Sequence, residues 1–300
     1  VGLFALIHSV DSLKLARDLL SGADSYGAYL DHTVVLIVPI LNVGGALNRS
    51  PFHRANQNGP AEQGFRGNAR NLDLNRDFIK LDSRNTRSLV RVIRQWDPHL
   101  FVDTHTSNGA DYPYTLTLIH SHTQRHESSQ ARLIDSLLVP ALYEGMANSP
   151  YEMCPYVWSR GRSPEGGIQA FMDYPRYTSG YSSLFNTIAF TLETHMFKPF
   201  GDRVLSTWYF LREALKFSEL HRAELIGTKA LAWKEKLQRD EFTLEWALDD
   251  TRWDTLSFRG YQVKESTSKV TGLTRYYYDR GETWEKEIPY YRYFKATNAA

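Results

Sequence analysis

The sequence has little of three things: cysteine, net charge and long apolar runs. Cys154 is the one cysteine among 300 residues, which excludes an intrachain disulfide and any site built from several thiolates. The formal net charge is +1, which gives no electrostatic reason to expect a nucleic acid or an anionic membrane as a partner. The longest apolar run, 34–41, is too short to span a bilayer. We therefore expect a globular protein that binds neither nucleic acid nor membrane.

The start of the chain and its cysteine usage bear on the compartment. The sequence begins at Val1, directly in a strand-like segment, and shows no secretory leader, so we expect a mature or trimmed form. Large secreted domains can dispense with disulfides. We expect a secreted or periplasmic protein rather than a cytoplasmic one.

Apolar patterns predict strands that alternate with helices over residues 1–238. Strand patterns occupy 1–7, 33–40, 99–102, 114–119 and 187–192, and helical patterns occupy 12–20, 81–96, 128–146 and 204–237. This alternation predicts an α/β domain with a mixed, largely parallel sheet flanked by helices. From 239 to 300 the pattern changes to short strand-like runs, at 242–246, 255–258, 268–271 and 274–278, which predict a small β-rich C-terminal module or extension.

Polar side chains that could bind a metal ion or transfer protons follow three of the predicted strands, where ligands bind in open α/β sheets. His8 and Asp11, three residues apart, can reach one metal ion if the chain turns between them, or Asp11 can simply cap the next helix. His105 comes at the end of an apolar strand, where a packed structural histidine is the alternative. Glu193 ends a wholly apolar run, where burial would raise the pKa of its carboxyl as a general base requires, and a buried salt bridge is the alternative.

The long polar segment after the second predicted strand is rich in arginine and asparagine. A loop as long as 42–71 is more often functional than idle. The adjacent Asn75 and Arg76 offer amide donors and a guanidinium fork that suit a carboxylate. Arg66 lies ten residues upstream and Arg54 lies further back. The alternative is that these are solvated loop charges.

Taken in order, these clusters resemble the zinc carboxypeptidases, the carboxypeptidase A-like family also called funnelins. That family has a His-x-x-Glu zinc pair, an arginine, an Asn-Arg pair, a third zinc histidine, a tyrosine and a catalytic glutamate. The resemblance is carried by the segments NLDLNRDF at 71–78, DTH at 103–105 and LET at 192–194. The stretches 54–60, 108–112 and 193–200 resemble a poorly characterised bacterial branch. The resemblance covers about residues 1–225.

For the metal, the resemblance implies one zinc ion per chain. Its ligands would be His8, Asp11 and His105, and Asp73 would hydrogen-bond the far nitrogen of a ligand histidine. Asp11 stands where the family has a glutamate, and the turn before the first helix is shorter than the family's.

For the substrate, the resemblance implies a peptide or an acyl amino acid with a free C-terminal carboxylate. Asn75 and Arg76 would hold that carboxylate. Tyr177 would be the family's mobile tyrosine, with Tyr181 as the alternative. The pocket floor would lie near 182–187, where the absence of an acidic side chain argues against basic C-terminal residues.

For the reaction, the resemblance implies hydrolysis of the C-terminal amide bond by metal-activated water. Arg66, or alternatively Arg54, would stabilise the oxyanion, and Glu193 would act as general base and acid. Two other functions stay open. One is an amidohydrolase of small acyl amino acids that uses the same site. The other, suggested by Asp11 and the short turn, is a zinc-free module that binds peptide C-termini.

Overall fold

The computed structural model describes residues 2–6 and 10–299, and it describes side chains for 11–22 and 27–299. Its strands are β1 (Gly2–Leu6), β2 (Val34–Val38), β3 (Arg49–Ser50), β4 (Gln63–Gly64), β5 (Leu100–Ser107), β6 (Leu116–His120), β7 (Met153–Pro155), β8 (Trp158–Ser159), β9 (Ile168–Gln169), β10 (Ile188–His195), β11 (Thr243–Leu248), β12 (Asp254–Thr267), β13 (Thr274–Tyr291) and β14 (Phe294–Ala299).

The helices of the described ranges are α1 (Val10–Ser21), α2 (Val43–Leu47), α3 (Arg84–Trp96), α4 (Ser128–Leu133), α5 (Val139–Ala147), α6 (Thr178–Ser183), α7 (Phe200–Leu220) and α8 (Arg222–Lys236). A π-helical turn, Ile134–Leu138, joins α4 to α5, and short 3₁₀ helices cover Ala23–Leu30, Leu74–Arg76, Thr123–Arg125 and Pro164–Gly166. Within these ranges, no helix is both long and apolar enough to cross a bilayer.

The main sheet has six strands in the order β2-β1-β5-β10-β6-β7. Neighbouring strands run parallel except at the junction of β10 with β6, which is antiparallel. Helices cover both faces of this sheet. The structure therefore confirms the predicted α/β class with a mixed, largely parallel sheet.

The two faces of the sheet are packed by different helices, because successive side chains of a strand point to opposite sides. On one face, side chains such as Val102 and Phe190 pack with α1, α5 and α7 in the larger hydrophobic cluster. On the other face, Phe101 and Ala189 pack against α3 and Tyr181. Residues 103 and 105 of β5, and 191 and 193 of β10, continue this second face beyond its apolar part.

The C-terminal strands build two further small sheets. β12 and β13 form a long antiparallel hairpin, which continues through β9 into β8, with Tyr290 opposite Ile168. β11 pairs with β14. Phe258 and Ile288 of the hairpin share a hydrophobic cluster with Ile168. The β-rich character of the C-terminal part is thus confirmed, and the boundary between a catalytic domain 1–238 and a module 239–300 stays a prediction.

Three element predictions need correction. Strand β5 continues to Ser107, five residues past its predicted end, so His105 lies within the strand. The helix expected over 204–237 is two helices, because His221 leaves the helical conformation between α7 and α8. The strand expected at 268–271 is the turn of the β12–β13 hairpin, closed by hydrogen bonds between residues 268, 272 and 273.

Candidate active site

The site lies where three parallel strands end on the same edge of the main sheet. Strand β10 pairs with β5 residue for residue, which places Glu193 directly opposite His105. Strand β1 pairs with the other side of β5, with Leu6 opposite Asp103. Since carboxyl ends of parallel strands meet at one edge, the polar residues that follow or end these strands gather there.

The Nε2 side of the His105 ring is held by the carboxylate of Asp103. Its Nε2 lies 2.9 Å from Oδ2 of Asp103, and its Nδ1 lies 4.0 Å from Oε1 of Glu193. Burial alone would lower the pKa of His105, but the charge and hydrogen bond of Asp103, together with the charge of Glu193, raise the pKa to about 9. A ring anchored through Nε2 presents Nδ1 to the site, which is how carboxylates orient metal-binding histidines.

Glu193 is a largely buried carboxylate with one oxygen that lacks a hydrogen-bond partner among the described residues. Its side chain is 14% exposed, and its Oε2 has no hydrogen-bond partner among the described residues. Burial raises the pKa of Glu193 to about 7, against the opposing attraction of His105 and of the arginines at 54 and 66. A carboxyl with this pKa exchanges protons near neutral pH, as a general base must.

Asn42 holds the loop that carries Arg66. Its Oδ1 accepts the backbone N–H of Gly45, and its Nδ2 donates to the carbonyls of Phe65, Arg66 and Gly67. An aspartate at this position would have no donor for those carbonyls. Asn42 thereby fixes the position of Arg66 relative to the end of β2.

The arginines of the long loop reach the site. Arg66 donates two hydrogen bonds to Oδ2 of Asp73, at 3.2 and 2.8 Å, and its charge also acts on Glu193 and His105. Arg54 lies close enough to Arg66, Asp73 and Glu193 for their charges to act on it. Asp73 was expected behind a ligand histidine. Behind His105 that place belongs to Asp103, while Asp73 accepts from Arg66.

A cavity of about 140 Å³ adjoins Glu193 and contains the expected carboxylate-binding pair. Asn75, Arg76 and Tyr177 all line it. The guanidinium carbon of Arg76 lies 4.6 Å from the centroid of the Tyr177 ring, and the Tyr177 hydroxyl accepts a hydrogen bond from Arg176. The structure therefore brings Asn75, Arg76, Tyr177 and Glu193 around one pocket.

The alternative tyrosine has another environment. Tyr181 packs between Phe78 and Phe185, with ring centroids at 5.8 and 5.3 Å, in the hydrophobic cluster beneath α3. Tyr177 lines the cavity and Tyr181 is absent from its lining, which favours Tyr177 as the tyrosine of the site.

The rest of the pocket wall was not foreseen from the sequence. Phe171, Tyr156 and Asp173 line it, together with Ile119, Thr178, Ser179 and Thr191. The segment 182–187, expected as the floor, does not line the cavity, because Ser182 and Ser183 turn back to carbonyls of α6. The absence of an acidic side chain from 182–187 therefore does not describe this cavity, which Asp173 lines, and the expected preference stays a prediction.

The first sequence motif is described only in part. His8 lies outside the described residues. Asp11, in the first turn of α1, is buried, and its Oδ1 accepts the backbone N–H of Ser12. Burial raises the pKa of Asp11 to about 7, although hydrogen bonds from its own helix start act against this. Within 2–6 and 10–299, no three His, Cys, Asp or Glu side chains are grouped to hold a metal ion. Of the three ligands expected from the sequence, the structure describes Asp11 and His105 and does not describe His8.

Solved structures share this fold. No family profile and no curated protein sequence matches the chain. A metallo-carboxypeptidase from Burkholderia cenocepacia aligns with a TM-score of 0.52 and 17% identity, over 73% of this chain and 58% of that one. A provisionally named carboxypeptidase from Burkholderia mallei gives a TM-score of 0.50 and 19% identity, over 73% and 57%. The chain thus has a metallo-carboxypeptidase-like fold. The alignments cover less than three fifths of each of the two Burkholderia proteins.

Proposed function

We propose that the protein is a zinc-dependent carboxypeptidase that hydrolyses the C-terminal amide bond of a peptide. One observation carries the proposal: Glu193, with an unpartnered Oε2 and a pKa raised to about 7, faces Nδ1 of His105 beside a pocket that holds Asn75 and Arg76. A proton acceptor, a metal-type histidine and a carboxylate-binding pair are the parts that this hydrolysis requires.

The metal would be held by His8, Asp11 and His105, one ion per chain. Asp103 supports the choice of His105, because it fixes the ring through Nε2 and leaves Nδ1 for the ion. The sequence position of His8, two residues after the end of β1, supports it as a ligand, since β1 ends with Leu6 opposite Asp103. When bound, zinc would supply a water of lowered pKa and polarise the substrate carbonyl.

The protein's own residues would do the rest. Asn75 and Arg76 bind the terminal carboxylate, Arg76 as a charged donor. Arg66, whose side chain is 52% exposed, can turn from Asp73 towards the carbonyl oxygen that becomes negatively charged, and Arg54 is the alternative for this role. Tyr177 closes over the bound residue next to Arg76.

Glu193 would move the proton. Its largely buried carboxylate accepts a proton from the attacking water, and the same oxygen then delivers the proton to the departing amine. The unpartnered Oε2 supports this role, because an acceptor without a donor is free to take up a proton during the reaction. Secretion to the periplasm or beyond remains the expected location for such an enzyme.

Metal content tests the proposal directly. We would purify the protein without chelator and measure zinc per chain by elemental mass spectrometry, with His105→Gln as the site variant. The matched control is His126→Gln, since His126 is also buried but bonds Gln130 away from the site. About one zinc per chain in the wild type and the control, and loss in His105→Gln, is the expected result. No zinc after incubation with excess metal would refute the proposal.

A further inference from the structure

Helix α3 carries a line of arginines that the proposed reaction does not use. The helix contains four arginines and neither aspartate nor glutamate. Steps of three and four residues separate these arginines, which places them on one face of the helix. This face is exposed, while the opposite face packs on the apolar side chains of the sheet. We call the four residues the arginine stripe: Arg84, Arg87, Arg91 and Arg94.

The charges of the arginine stripe have no acidic partner within the described residues. The acids at the two ends of α3 pair with lysines instead. Asp82 lies 3.4 Å from Nζ of Lys80, and Asp97 lies 2.8 Å from Nζ of Lys229. Like charges three and four positions apart repel one another, and a cation in the first turn opposes the helix dipole. A bound anion would relieve both effects.

Three arginines of the stripe line a cavity of about 320 Å³ on the protein surface, together with Ser88. They are Arg84, Arg87 and Arg91, and the lining contains no acidic side chain. Arg87 donates from Nη1 to the backbone carbonyls of 81–82, at 2.6 and 3.1 Å. These carbonyls hold the guanidinium in place without neutralising its charge. The cavity is therefore positively charged, and one of its cations is already fixed.

The chemistry and spacing of these side chains indicate which anion they suit. A guanidinium group donates paired hydrogen bonds that match the oxygens of a phosphate. Arg84 and Arg91 are seven residues apart, which corresponds to about 10 Å along the helix axis. A single phosphate group is too small to contact the side chains along this whole span, whereas two or three linked phosphates can accept from all of them.

A long polyanion fits the protein less well. The formal net charge is only +1, with 34 acidic residues against 35 basic ones. A long chain of phosphates would extend past the stripe onto surfaces that carry these acids, where it is repelled. The stripe therefore favours a short ligand.

We propose that the arginine stripe of α3 is a binding site for a soluble oligophosphate, a chain of two or three phosphate groups that is free or carried by a small molecule. The guanidinium groups of Arg84, Arg87 and Arg91 donate to the phosphate oxygens, and the hydroxyl of Ser88 adds a further donor. The inference does not depend on the proposed function, since this cavity shares no residue with the one that adjoins Glu193.

The test is calorimetry of the purified protein with tripolyphosphate and with orthophosphate, at low ionic strength and without divalent cations. The site variant is Arg91→Gln. The matched control is Arg132→Gln, because Arg132 is an exposed arginine on α4 outside the cavity. We expect wild type and control to bind tripolyphosphate at least about tenfold more tightly than orthophosphate, and Arg91→Gln to bind it about tenfold more weakly. No binding of tripolyphosphate, or equal binding by Arg91→Gln and wild type, would overturn the inference.

A second pair of variants tests the place and the geometry of binding. Arg91→Lys keeps the charge and lacks the planar fork, so it should bind tripolyphosphate more weakly than the wild type does. Arg76→Gln removes an arginine from the cavity beside Glu193 and should leave the affinity unchanged. Loss of binding in Arg76→Gln, with full binding in Arg91→Gln, would place the ligand in that other cavity and overturn the inference. Arg84→Gln replaces Arg91→Gln if the latter does not fold.

Hexaglutamate tests whether an acidic protein segment is the true occupant of the stripe. Its carboxylates carry one charge each, and we expect it to bind more weakly than tripolyphosphate. Equal or tighter binding of hexaglutamate, lost in Arg91→Gln, would assign the stripe to an acidic peptide and overturn the oligophosphate site.

Discussion

Replacing Glu193 with glutamine should stabilise the metal-free protein at pH 8 and remove the proposed hydrolysis. Both effects follow from the position of one carboxyl that is largely buried, with one oxygen unpartnered within the described residues. Glutamine has nearly the same shape but no charge. The variant therefore separates the effect of the buried charge on the stability of the fold from its role in the proposed hydrolysis.

The magnitude follows from the pKa of Glu193, which rises from 4.5 to about 7 on folding, because of burial. At about 1.36 kcal/mol per pKa unit, this lowers the native state's stability by about 3 kcal/mol once the pH exceeds 7. The folded chain holds the proton between pH 4.5 and 7 while the unfolded chain has lost it, so stability falls as the pH rises through that window. The gain in the variant is at most about 3 kcal/mol, since His105 loses an attractive neighbour.

The assay is urea unfolding with chelator present, at pH 4.5 and pH 8, beside Glu144→Gln as a surface control on α5. We expect Glu193→Gln to gain stability over the wild type at pH 8 and little at pH 4.5, and the control to match the wild type at both. Equal stability of wild type and variant at pH 8 would contradict the burial argument. With zinc present, kcat should fall about 10²–10⁴-fold, and an unchanged kcat would refute the role of Glu193 as base.

Three further predictions follow. Arg76→Lys should raise KM by about tenfold or more, with a smaller change in kcat, because the planar fork for the terminal carboxylate is lost; an unchanged KM would exclude Arg76 from the site. His126, whose pKa burial lowers to about 3, should destabilise the fold by about 2 kcal/mol between pH 6.5 and 4.5, because only the unfolded chain gains the proton there. Thermal melts should therefore show His126→Gln losing less stability than the wild type on acidification. Asn42→Asp should cost about 1–2 kcal/mol in urea unfolding, because three loop carbonyls lose their donor; no change would show that water replaces it.

Much of the fold could be predicted because its strands and helices carry clear apolar periods. The run 34–38 and the helix 84–96 lie inside their predicted ranges, since buried parallel strands and amphipathic helices have distinct patterns. The end of β5 could not be read so easily. Its last five residues, 103–107, are all polar, which ends the apolar run while the backbone continues in the sheet.

The residues of the site also differ in how far the sequence predicts them. His105 and Glu193 could be predicted because a polar side chain at the end of an apolar strand stands out. Asp103 was not predicted to orient His105, although its spacing of two from His105 places both side chains on one face of the strand. Phe171 and Asp173 could not be found, because they reach the pocket from a segment with two-residue strands and no local pattern. Only the tertiary structure brings them to Glu193.

The pairing of β9 with β13 has a consequence for the order of events during synthesis. Strand β9 lies just before Phe171 and Asp173, yet its partner residues, Tyr290 and Tyr291, come more than a hundred positions later. The hydrogen bond from Ala170 to the carbonyl of Tyr291 adds to this dependence. On the ribosome, the α/β layers can assemble while this wall of the pocket still lacks its support. This wall of the pocket is therefore completed only after residue 291 has emerged.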